Sequence, residues 1–103
     1  METIVVVDDF QAARKVVART LAKNYQVLEA ADGMEALELF DGQKIDLLIT
    51  DFNMPKMDGA ELVTEVRKIE EYKYIPILIL STEVNEEKKG KAMKAQITDT
   101  KTL

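Results

Sequence analysis

Four short apolar runs recur along the chain, each separated from the next by about one helix's worth of residues. This spacing limits the possible folds more than any other feature. Ile4–Val7 is apolar and β-branched at every position. That pattern suits a strand buried on both faces, not one alternating between core and water. Gln26–Ala30, Ile45–Thr50 ("IDLLIT") and Tyr74–Leu80 ("YIPILIL") follow, with Pro76 near the start of the last, where a missing N–H is tolerated. Phe10, Ala13, Val17 and Leu21 recur at helical spacing after the first run. Asp32 with Glu35, and Asp58 with Glu61, give the pattern of a capping acid followed three residues on by Glu, which opens a helix. Met34, Leu37 and Phe40 form the apolar stripe of the second helix, and Leu62, Val63, Val66 and Ile69 that of the third. "STEVNEEKKGKAMKAQ" reads as a charged helix weakened by Gly90. The tail Ile97–Leu103 reads as a fifth strand, in its own sheet or a neighbour's, or as an unstructured end. Strand and helix in strict alternation imply an α/β parallel sheet with right-handed crossovers and helices on both faces.

A length of 103 residues implies one domain, residues 1–103. The chain has neither cysteine nor histidine. Disulfides, thiolate metal sites, imidazole ligands and an imidazole base are therefore excluded, and a metal would have to be held by oxygen: Mg²⁺, Ca²⁺ or Mn²⁺. The net charge of −5 argues against a broad electrostatic grip on nucleic acid. No apolar run approaches the roughly 20 residues that span a bilayer, and the N-terminus lacks the basic and long apolar regions of a signal peptide. A cytoplasmic protein without membrane contact is expected.

Two strands end in acid: Val7 is followed by Asp8 and Asp9, and Thr50 by Asp51. Ligands of such sheets bind at the carboxyl ends of the strands. If the first and third strands are neighbours, their ends lie about 4.8 Å apart and three carboxylates converge. Two unit charges about 4 Å apart repel by roughly 4 kcal/mol at an effective dielectric of 20. Such a cluster takes up a cation or protons. Mg²⁺ fits best, because it binds through one or two carboxylates, keeps waters and accepts phosphoryl oxygens. The plainer alternative makes Asp8-Asp9 a helix cap and Asp51 a loop residue; acids at the ends of two apolar strands weigh against it.

"VVVDDF", then "LLITDFNMPKMDG", then "ILILSTE" resemble the receiver domain of bacterial response regulators over about Thr3 to Ala95. The resemblance implies a flavodoxin-like doubly wound sheet of order 2-1-3-4-5. It implies that Asp51 is the phosphoacceptor, attacking the phosphoryl group of a phosphohistidine on a histidine kinase or phosphotransfer protein. Asp9 is then the direct Mg²⁺ ligand, Asp8 an acid acting through water, and Asn53 the donor of a backbone carbonyl to the metal. Ser81 corresponds to the hydroxyl that hydrogen-bonds the phosphoryl group and moves on activation. Asn53 and Glu83 occupy positions that tune phosphate lifetime, although Glu83 equally suits a solvated acid at a helix start. Pro55 stiffens the loop, Gly59 permits an unusual backbone angle, and Met54 and Met57 are packing residues. Such a domain is a switch, not an enzyme.

The sequence departs from the family pattern at its C-terminal end. Gln96 stands where a helix-ending glycine is usual, and no Lys-Pro pair or last helix follows. Counted from Ser81, the family lysine falls at Leu103; Lys101 lies two residues earlier on the same strand face. An uncovered apolar sheet face implies self-association through the C-terminal side, or an obligate partner. The alternative function is a degenerate receiver serving as a dimerisation or docking module with little phosphorylation. An aspartyl phosphohydrolase is disfavoured, since that class usually carries an acid where Asn53 stands. Neither Gly-rich nucleotide motif occurs.

Overall fold

In the computed structural model, which describes residues 1–81 and 99–102, β1 (Thr3–Val7) is buried at all five positions. Continuous β-branched residues place aliphatic side chains on both faces, so β1 lies at the interior of the sheet. It pairs in parallel with β2 (Gln26–Ala30) on one side and β3 (Leu47–Asp51) on the other. β4 (Ile77–Ser81) and β5 (Asp99–Thr102) extend the sheet, giving the all-parallel order β2-β1-β3-β4-β5. The expected flavodoxin-like order is thus present. The tail contributes its strand to the chain's own sheet, opposite Leu78 to Ser81.

Side chains of alternate strand residues feed two cores. On one face Val5, Val7, Leu48, Ile77 and Ile79 pack against α2 (Gly33–Leu39) and α3 (Gly59–Arg67) through Ala36, Leu62, Val63 and Val66. On the other, Ile4, Val6 and Ile49 pack against Val17 and Leu21 of α1 (Gln11–Leu21), with Leu78 and Leu80 half-buried beside them. Asp58 caps α3 with a full capping box shared with Glu61, and the Asp32 carboxylate accepts from the Glu35 N–H at the start of α2. Each satisfies amides that the first turn of a helix leaves without partners.

Polar groups fix the base of the sheet. The Thr3 N–H donates to the Asp46 carboxylate at 2.8 Å, and the Asp46 N–H donates to the Thr3 carbonyl at 2.8 Å. The buried Tyr72, in a single 3₁₀ turn (Glu70–Tyr72), stacks edge-on against Phe40 with centroids 4.9 Å apart. Its hydroxyl donates to the Gln43 carbonyl at 2.7 Å and accepts from the Gly42 N–H at 2.8 Å. Gly42 has φ +103°, a backbone conformation that L side chains rarely adopt.

Several local expectations are corrected. Phe10 caps α1 and is 66% exposed, and Met34 is 59% exposed, so neither belongs to an apolar stripe. Ala18 and Ala36 hold buried positions on α1 and α2 instead. β3 starts at Leu47 and β4 at Ile77; Ile45 is buried ahead of its strand, while Tyr74 is 87% exposed. Pro76, just before β4, accepts from the Leu48 N–H through its carbonyl, the one backbone group it can still offer. The charged helix expected over residues 81–96 falls largely outside the described residues.

Candidate functional site

The ladder between β1 and β3 decides the site. Val7 pairs with Thr50, so Asp8 and Asp51 are the next residues on adjacent strands. Their carboxylates and that of Asp9 each present an oxygen within 4.8 Å of the others. Asp8 and Asp51 are half-buried and Asp9 is exposed. Among the described residues, the convergence expected from the two acid-tipped strands is therefore present.

Two of the three acids are held by backbone groups. The Asp8 carboxylate accepts from the Phe10 N–H at 2.9 Å, while the Asp8 N–H donates to the Ala30 carbonyl at 3.2 Å. The Asp51 carboxylate accepts from the Phe52 N–H at 2.9 Å. Burial pushes the Asp51 carboxyl above its ordinary range and the neighbouring charges of Asp8 and Asp9 reinforce the shift; bonds from the Phe52 and Asn53 amides oppose it without cancelling it. A divalent cation would reverse the balance, because it favours the ionised form of all three acids.

The loop after β3 is shaped by close approach. A Cβ on Gly59 would lie 2.5 Å from the Asp51 carbonyl oxygen and 3.0 Å from the Phe52 Cα, and the Gly59 N–H donates to the Phe52 carbonyl at 2.8 Å. Gly59 is thus needed for space and not, as expected, for an unusual backbone angle. The left-handed residue of this loop is Lys56, with φ 69°. Met54 is buried and Met57 half-buried against the core and Gly33, as packing residues. Asn53 is exposed beside the acids.

Of the remaining candidates, Ser81 ends β4, one residue beyond Leu80, the ladder partner of Asp51. Thr102 pairs with Ser81, and Lys101 pairs with Leu80. Glu83 lies outside the described residues. Sequence reasoning missed Arg14. Its guanidinium donates to the Asp8 carbonyl at 2.7 Å and to the Glu29 carboxylate at 3.1 Å. The available signal was Glu29 itself, an acid near the end of the otherwise mostly apolar run that forms β2.

Residues 4–101 match the family model described as the response regulator receiver domain. The chain belongs to this family. Receiver domains are signalling modules of two-component systems. The chemotaxis protein CheY1 of Helicobacter pylori is 40% identical to this receiver over 97 residues, which cover 91% of this chain and 78% of the relative. The sensor histidine kinase TmoS of Ectopseudomonas mendocina is 38% identical over 96 residues, 93% of this chain but only 10% of the kinase. The receiver therefore spans about a tenth of that protein's length. The structure of the chemotaxis protein CheY4 of Vibrio cholerae superposes with a TM-score of 0.94 at 40% identity, covering 99% of this chain and 86% of the other.

Proposed function

We propose that residues 1–103 form one receiver domain that accepts a phosphoryl group on Asp51 from a phosphohistidine of a histidine kinase or phosphotransfer protein. The observation that carries this reading is the meeting of three carboxylates within 4.8 Å at the ends of two apolar strands. The donor set is all oxygen, with no histidine or cysteine in the chain, and suits Mg²⁺. Asp8, Asp9 and Asp51 would hold the ion with the Asn53 backbone carbonyl. When bound, it supplies charge neutralisation for the phosphoryl oxygens.

The chain's own residues supply position. The Phe52 N–H holds one oxygen of the Asp51 carboxylate and leaves the other for an incoming phosphorus, and phosphoryl transfer relies on positioning more than on a strong base. The bond from phosphorus to the donor's imidazole nitrogen breaks as the bond to the Asp51 oxygen forms. Ser81, at the neighbouring strand end, is assigned to hydrogen-bond the acquired phosphoryl group and shift on activation. Asn53 and Glu83 are assigned to tuning its lifetime. The output is a change of state, so the domain acts as a switch and not as an enzyme. Net charge −5 supports a protein partner over nucleic acid.

Incubation with Mg²⁺ and acetyl phosphate tests the assignment. The wild type is expected to gain the mass of one phosphoryl group, and Asp51→Asn to gain none. No gain at any Mg²⁺ concentration favours the second reading, a docking or dimerisation module. One observation supports that reading. A groove of about 500 Å³ runs from Asp8, Asp51 and Asn53 along an apolar wall of Val6, Val17, Ile49 and Leu80, with the exposed Phe10 and Val16 also lining it. Self-association through this side would appear in light scattering as a concentration-dependent rise in mass.

A further inference from the structure

Arg14 sits in the first half of α1 with its side chain only 12% exposed. A guanidinium is costly to bury, and this one is held at two ends. Its Nε donates to Glu29 near the end of β2, and its Nη1 donates to the Asp8 carbonyl at the end of β1 at 2.7 Å. Glu29 is itself fixed by a second cation, since Lys15 Nζ donates to its other oxygen at 3.0 Å. Burial pushes the Glu29 carboxyl up, but the bonds from Lys15 and Arg14 and their charges outweigh it, leaving it below its ordinary range. It remains an anion and a firm anchor.

The consequence falls on Asp8. Its N–H is tied to Ala30, its carboxylate to the Phe10 N–H, and its carbonyl to Arg14. The Arg14 contact is the one that links this peptide to a side chain anchored on a different strand. We infer that Arg14 is a positioning residue for the divalent-cation site: through the Asp8 carbonyl it holds the Asp8 carboxylate in the orientation that meets Asp9 and Asp51. This rests on the reading of the three acids as a Mg²⁺ site. A planar guanidinium can donate to two acceptors in fixed directions, whereas a lysine ammonium at the same position is a point charge on a flexible stem.

Charge and geometry make opposite forecasts, which makes the idea decidable. Arg14 is a cation bonded to the Asp8 carbonyl and lines the same groove as Asp8 and Asp51. By Coulomb's law alone its removal strengthens binding of a second cation. By positioning, its removal weakens binding, since outer partners of metal ligands carry about 10–100-fold in affinity. A carbonyl contact belongs at the low end of that range.

The experiment is calorimetric titration of the whole chain with Mg²⁺ alone, comparing wild type with Arg14→Gln, Arg14→Lys and Lys15→Gln. Circular dichroism selects the temperature at which all are folded. Arg14→Gln is expected to weaken Mg²⁺ binding about tenfold. Arg14→Lys keeps the charge and the helix, and is expected to weaken binding by a smaller factor, so it carries the test if the glutamine variant does not fold. Lys15→Gln removes the same charge from the same anchor without touching Asp8, and is expected to leave binding unchanged or tighter. Unchanged or tighter binding in both Arg14 variants overturns the inference while leaving the metal site intact. A wild type that binds no Mg²⁺, or binds it equally after Asp51→Asn, overturns the underlying reading of the site and the inference with it.

Discussion

Asp51→Asn is expected to stabilise the protein when no divalent cation is present, although it removes the central residue of the site. The oxygens of Asp51, Asp8 and Asp9 lie within 4.8 Å of one another. At that distance each pair of unit charges repels by about 0.9 kcal/mol in a water-like dielectric and by about 3.5 kcal/mol at an effective dielectric of 20. Asp51 faces two such partners. Asp9 is exposed, so solvent and salt screen its share heavily, and small side-chain rotations relieve part of the rest. A gain of about 1–2 kcal/mol at neutral pH remains, which for a domain of this size raises the melting midpoint by about 5–10 °C.

The pH dependence follows from the direction of the Asp51 shift. Its folded-state carboxyl is raised above the unfolded value by burial and by its acidic neighbours. Between the ordinary carboxylate range and that raised value, the native state holds a proton that the unfolded state has released. Wild-type stability contributed by Asp51 therefore falls as pH rises through this window. Below the window a protonated Asp51 is neutral, as asparagine is, and the two proteins should melt together; above it the variant should hold its full advantage. Thermal melts in a chelator, taken from acid to neutral pH, measure this directly. Saturating Mg²⁺ should then raise the wild type more than the variant and shrink the gap. A variant that melts at or below wild type at neutral pH in chelator, or a gain that ignores pH, refutes the electrostatic reasoning.

Gly59→Ala should cost about 1–3 kcal/mol in urea unfolding, the usual range for forced overpacking, because the new methyl meets the Asp51 carbonyl and the Phe52 Cα, both backbone atoms with little room to yield. An unchanged urea midpoint would show that the loop relaxes freely. Tyr72→Phe removes the hydroxyl that joins the Gly42 N–H and the Gln43 carbonyl and should cost about 1–3 kcal/mol. Because the Tyr72 hydroxyl bonds at Gly42 and Gln43 and does not line the groove that holds Asp8 and Asp51, the same variant should accept phosphate from acetyl phosphate as wild type does.

The strand order and the meeting of the acids were legible because apolar runs ending in aspartate report both burial and position. Ala18 and Ala36 were harder to read: a small alanine adds little to a helical stripe and so does not announce burial, and Phe10 and Met34 satisfy the spacing while facing water. The role of Gly59 was misread because a glycine's need for space and its need for a special backbone angle leave the same letter in a sequence. Arg14 was missed for a different reason, since Glu29 marks an acid on β2 without saying which cation reaches it. Its partners are Glu29 and the carbonyl of Asp8, and neither a strand pairing nor a main-chain acceptor is written in residue types.

β1 and β3 carry aliphatic residues on both faces, and this has a cost for specification. In a strand with one wet face, sliding by a single residue would bury charge and be rejected at once. Here a slide would exchange one largely aliphatic row for another, so burial alone opposes it weakly. The reciprocal pair of bonds joining Thr3 and Asp46 at the far end of the sheet opposes it, since a slide would break both. The alignment that brings the acids together at one margin of the molecule is thus supported at the opposite margin, by a residue outside their cluster.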